Sequence, residues 1–119
     1  MKRNNIIQDK SFAFAIRIVK LYKYLVEERK EFILSKQLLR AGTSIGANVE
    51  VAIGGQSRKD FISKISIAYK EARETIYWVK LLKATEYIQV KEADSIMNDA
   101  EELCKILSSI LVSSKITNS

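Results

Sequence analysis

Histidine and proline are absent from this chain, cysteine and tryptophan occur once each, and glycine occurs four times. Without histidine, the commonest general base, histidine-containing triads and most zinc sites are excluded. A di-iron centre held between helices also needs Glu-x-x-His pairs and falls with them. Without proline, and with little glycine, long uninterrupted helices are permitted almost everywhere. Cys104 has no partner for an internal disulfide, and a reducing cytoplasm is the expected compartment. No apolar run approaches the ~20 residues that span a bilayer. The start, MKRNNIIQDK, is positive but has no apolar stretch of the kind a secretory signal needs. No membrane partner is expected.

What is present is ordinary for a globular protein: 119 residues, 47% hydrophobic and 29% charged. That length fits one domain over residues 1–119 and one buried core. The formal charge is +6, and it is unevenly spread. Residues 1–30 carry eight Lys/Arg against three Asp/Glu, and residues 57–89 carry seven against four. Residues 90–119 reverse the balance, three against five. Two basic segments and one mildly acidic segment are compatible with a polyanion partner. They are equally the mark of a protein that uses lysine for solubility.

Helical periodicity runs through the chain. Asp9 or Ser11 can cap a first helix over about 9–29. A second is expected over about 32–53, stopped by Gly54-Gly55. Ser57-x-x-Asp60 reads as a capping box that opens a third over about 57–84. Glu92 and Asp94 suit the positive end of a fourth over about 91–114. Four long helices joined by short loops give an all-α, antiparallel up-down-up-down four-helix bundle.

The apolar faces are wider than one core needs. Phe12, Phe14, Ile16, Ile18, Leu21 and Leu25, with their small and branched neighbours, spread around most of the first helix. On the third, Phe61, Ile65, Ala68, Ala72, Ile76 and Val79 form a core stripe. A second stripe, Ile67, Glu71, Glu74, Trp78 and Leu81, lies nearly opposite. Exposed together, its apolar members would make a patch typical of an interface, so self-association is expected. Gly42 and Gly46, four residues apart, point to close backbone approach of a neighbouring helix. The alternative, a phosphate-cradling loop in GTSIG, lacks the Gly-Lys-Ser/Thr and the preceding strand.

No reaction centre is legible. Glu50, Glu71 and Glu74 are the only carboxylates on otherwise apolar or small-residue faces, and pairing with Arg40, Lys64 or Arg73 is their simplest role. Cys104 shares the apolar face of Ile96, Ala100, Leu103, Leu107 and Ile110 and reads as core. No cofactor or metal is called for. Two polar faces do combine cations with aromatics: Lys10, Arg17, Lys20 and Tyr24 on the first helix, and Lys70, Arg73, Tyr77 and Lys80 on the third. Such faces can hold phosphates and stack unpaired bases. They can also be plain solvated surface.

The run QLLRAGTSIGANVEVAIGGQSRKDF, then KISIAYKEARETIYWVKLL, with Ser11-Phe12 upstream, resembles the family encoded by intervening sequences within bacterial 23S ribosomal RNA genes. The resemblance covers about Ser11 to Leu111. It departs only after Asn48-Val49, where Glu50-Val51-Ala52 replaces the usual Glu-Ala. The resemblance implies an antiparallel four-helix bundle that assembles into homopentameric rings, and no catalytic residues. It marks Arg40, Ser44, Asn48, Glu71, Glu74, Tyr77 and Trp78 as motif positions, better spaced for helix and subunit packing than for a ligand. A similar protein, the accessory factor of diversity-generating retroelements, implies nucleic acid or a protein as partner. The expected function is therefore a non-enzymatic, cytoplasmic homo-oligomer that binds RNA or DNA with little sequence specificity. The alternative is a protein-interaction scaffold that binds no nucleic acid.

Overall fold

The structure, a computed structural model, describes residues 2–118, with side chains placed over 6–114. Four helices account for nearly all of it: α1 (Lys2–Glu27), α2 (Leu34–Ile53), α3 (Arg58–Ala84) and α4 (Val90–Asn118). Each packs against its sequence neighbour, and α1 closes on α4 through the slightest of the four contacts. Cross-contacts fix the directions. Gly42 faces Ile18 while Gly46 faces Ser11. Lys10 reaches Glu102 while Arg17 reaches Asp99 and Glu92. Both pairs of helices are antiparallel, and the bundle measures 48 × 21 × 20 Å, as helices of 20–29 residues rising about 1.5 Å per residue require.

The core is one cluster, with Ile18, Leu25, Leu38, Ile45, Ile65, Val79, Leu82, Ile96, Leu103 and Leu107 at or near zero exposure. Two expectations for α1 change. The helix begins seven residues before Asp9, because Ile7 is fully buried and extends the core stripe one turn upstream. Ser11 is consequently inside the helix and buried, its hydroxyl donating to the Gln8 carbonyl at 3.2 Å rather than capping. The core also takes a narrower share of α1 than the apolar residues would cover. Phe14, Ile18, Leu21 and Leu25 point inward, whereas Phe12 is 68% exposed. On α3 the buried positions are Ile65, Ala68, Ala72, Thr75, Val79 and Leu82, and Phe61 and Ile76 are half-buried at its edge.

The helix ends have three solutions. Ser57 is extended at the head of α3, and its hydroxyl accepts the Asp60 N–H at 3.0 Å. α1 and α3 both close through a left-handed residue that is not glycine, Lys30 (φ 54°) and Glu86 (φ 67°). The following N–H returns to the last turn, Glu31 to the Leu25 carbonyl and Tyr87 to that of Leu82. α2 starts differently. Buried Glu31 accepts the N–H groups of Ile33, Leu34 and Ser35 on one carboxylate, while Ser35 Oγ donates to its carbonyl. Burial works against the Glu31 charge, but those backbone donors and the Ser35 hydroxyl outweigh it and hold its pKa below the ordinary value of 4.5.

Two outcomes follow. A methyl group on Gly42 would stand 2.7 Å from Ile18 Cγ1, whereas one on Gly46 would stand 3.4 Å from Ser11. Gly42→Ala is expected to lower stability by about 1–2 kcal/mol, because overpacking exceeds the gain in helix propensity. Gly46→Ala is expected to be neutral or to gain up to about 1 kcal/mol; urea midpoints read both. Glu31→Gln should destabilise by about 1–2 kcal/mol at neutral pH. The folded-state pKa lies below the unfolded one, so this contribution is complete above the unfolded value and disappears as pH falls through the folded value. The difference between the two proteins should therefore vanish in acid.

Candidate functional site

α3 is the middle of the candidate site, and its two flanks and outer face have different fates. The flank toward α2 carries Ile67, Glu71, Glu74, Trp78 and Leu81, all half-buried. Arg40 from α2 reaches across, with Nη1 donating to Glu71 Oε1 at 3.2 Å and Nη2 donating to Glu74 Oε2. Trp78 Nε1 donates to the same Glu74 oxygen at 2.9 Å, and its ring packs on the core. The stripe that α3 periodicity places opposite the core is thus turned toward α2. Arg40 needs that turn, because it satisfies two adjacent carboxylates at once. Ser44 and Asn48 continue the motif along α2, where Asn48 Nδ2 donates to the Ser44 carbonyl at 2.9 Å within the helix.

The outer face carries Lys70, Arg73, Tyr77 and Lys80, all exposed. None of its three cations forms an ion pair among the described residues. Tyr77 is 56% exposed and meets the edge of Trp78, ring centroids 5.2 Å apart at 71°. That contact fixes the ring without hiding it.

The corresponding set on α1 is placed otherwise. Lys10 pairs with Glu102 at 3.2 Å, and Arg17 pairs with Asp99 at 2.7 Å and Glu92 at 3.3 Å while also donating to Ser95. Only Lys20 and Tyr24 remain unengaged, beside an open cleft of about 580 Å³ whose apolar floor is Leu21 and Ile88. The expected α1 face is therefore split. Two of its three cations hold α1 to α4, and Lys20 alone stays available among the described residues.

Two residues outside those stripes matter. Arg29 donates to the Glu86 and Tyr87 carbonyls and lies 5.3 Å from the Tyr87 ring centroid, tying two loops together at one end of the bundle. Lys105 on α4 stands opposite Arg73 and forms no ion pair among the described residues. Its signal was its register: Glu101, Lys105 and Ser108 recur at helical spacing one step from the buried Cys104. Burial pushes the Cys104 thiol up, Arg73 works against that and Glu101 with it, and the net is a raised pKa that leaves the thiol protonated at neutral pH. Among the described residues no group of three or more His, Cys, Asp or Glu could hold a metal ion. No described helix is long and apolar enough to cross a membrane.

The chain is similar to known proteins. The model of the 23S rRNA-intervening sequence protein family matches residues 3–109. The chain belongs to that family. Its fold is also that of a crystallised protein of unknown function from Bacteroides thetaiotaomicron VPI-5482, described as a member of the S23 ribosomal protein family. The two are 57% identical, with a TM-score of 0.91 over 92% of this chain and 97% of the other. Among curated proteins none matches. Neither description names an enzymatic activity.

The Arg40 bridge has a measurable weight. Arg40 is about half exposed, so Arg40→Ala is expected to lower stability by about 0.5–1 kcal/mol in dilute buffer, falling in high salt. Thermal melts at two ionic strengths read the difference.

Proposed function

We propose that this member of the 23S rRNA-intervening sequence family is a non-enzymatic, cytoplasmic homo-oligomer that binds RNA or DNA with little sequence specificity. The observation that carries the reading is the exposed face of α3, where Lys70, Arg73 and Lys80 form no ion pair among the described residues and Tyr77 presents a ring among them. Unpaired cations at helical spacing neutralise phosphates, and an exposed aromatic stacks on a base regardless of its identity. Only Arg73 carries a planar fork that can read a base edge, whereas phosphate contacts and a stacked ring are indifferent to sequence.

Binding to a short unpaired RNA should weaken steeply as salt rises. Each phosphate contact contributes about 0.7 to the log–log slope for single strands, so the triple variant Lys70/Arg73/Lys80→Ala should lower the slope by about 2. Absence of binding by the wild-type chain at low salt contradicts the reading. A specific observation favours the scaffold alternative in that outcome: Lys10 and Arg17 are already consumed by α4.

Self-association is supported by apolar surface that one bundle leaves uncovered. Ile67 and Leu81 are only half-covered on α3, and Phe12 and Ile16 are exposed one helical turn apart on α1. A second copy of the chain is the occupant proposed for the α3 edge, with five copies closing a ring. Sedimentation velocity should give an oligomer for the wild type and a monomer of undiminished helicity for Leu81→Asp. A monomeric wild type contradicts the assembly.

A further inference from the structure

We propose that the strand bound by this protein is unpaired and that its backbone lies in the groove between α3 and α4, held by Arg73 and Lys105 from opposite walls. The inference rests on the nucleic-acid reading above and adds where the strand runs. The groove is open to solvent and offers about 580 Å³ of space along its length. Arg73 closes one wall and Lys105 the other, with the hydroxyls of Ser108 and Ser109 beside Lys105 and the Tyr69 ring beside Arg73.

Every charged group facing this groove favours an anion except Glu101. The other α4 carboxylate on the α3 side, Asp94, is held by Lys83 at 2.7 Å. Arg73 and Lys105 have no carboxylate within ion-pair distance among the described residues. Two cations from opposite walls, with two serines on the Lys105 wall, suit successive phosphates of one strand. Arg73 also belongs to the outer α3 face, so the groove continues into the surface that carries Tyr77 and Lys80. A strand leaving the groove would meet Tyr77, whose exposed ring can stack only on a base that is not already paired.

The test uses the full chain with two probes, a short oligouridylate and an RNA duplex of equal length. Lys105→Ala is expected to lower the oligouridylate salt slope by about 0.7, as loss of one single-strand phosphate contact. Ser108→Cys supplies a reporter, since Ser108 is exposed and Cys104 in the same groove is buried, and the wild-type chain labelled alongside reads Cys104 alone. Oligouridylate should slow maleimide labelling of Ser108→Cys, and the duplex should not. If Lys70/Lys80→Ala weakens binding while Lys105→Ala and the labelling rate of Ser108→Cys are unaffected, the groove assignment is overturned and the outer-face reading stands. Tighter binding of the duplex than of oligouridylate also overturns it. If the wild type binds neither probe at low salt, both proposals fall.

Discussion

Antiparallel docking of α1 against α4 sets the electrical character of the molecule. α4 is the acidic helix, and four of its carboxylates are engaged: Glu92 and Asp99 by Arg17, Glu102 by Lys10, and Asp94 by Lys83. Only Glu101 of the α4 acids forms no ion pair among the described residues. The pairs are half-exposed and individually weak, but their arrangement decides where positive charge survives. It survives on α3, whose own acids Glu71 and Glu74 are turned to the opposite flank and held by Arg40. The outer α3 face and the adjoining groove thereby bring together four cations without an ion pair among the described residues, Lys70, Arg73, Lys80 and Lys105, whereas Lys20, Lys23 and Lys36 stand singly elsewhere on the surface. Local arrangement, more than total charge, sets the field at each face, because screening confines each charge's reach to about 10 Å.

Packing differs from seam to seam. α1 and α2 approach closely at Gly42, where Ile18 occupies the space a side chain would need. α1 and α4 touch least, and clefts lie along their seam, bridged by charged side chains. α3 lies between α2 and α4 and is covered on both flanks, leaving a narrow outer strip. That strip carries Lys70, Arg73, Lys80 and Tyr77.

Much of this is legible in the residues themselves. Helix count, order and most boundaries follow from periodicity and from the Ser57 cap, because long apolar stripes and a serine at the right offset act locally. The α1 start is not legible, since Asp9 and Ser11 look like caps and only the burial of Ile7 shows that the helix continues upstream. Glu31 is equally hidden: its role depends on the Lys30 left-handed turn, which carries the chain back so that one carboxylate meets three N–H groups. The α3 flank illustrates a different gap. A helical wheel reports which residues share a face but not how the helix is rotated toward its neighbours. Trp78 therefore reads as an outward anchor until Arg40 is seen drawing Glu74, and Trp78 with it, toward α2. Pairing on α1 is lost for the same reason, since partners 75–92 residues away along the chain leave no local trace.

The central claim is that α3 and its groove, rather than the α1 face, carry the charge that a nucleic acid can use. Acylation of each lysine amine, followed by mass spectrometry with and without a bound short RNA, measures this directly. The account predicts that RNA protects Lys70, Lys80 and Lys105 and leaves the labelling of Lys10 unchanged. Protection concentrated on Lys10 and Lys20, with Lys70, Lys80 and Lys105 labelled as fast as in the free protein, would contradict it.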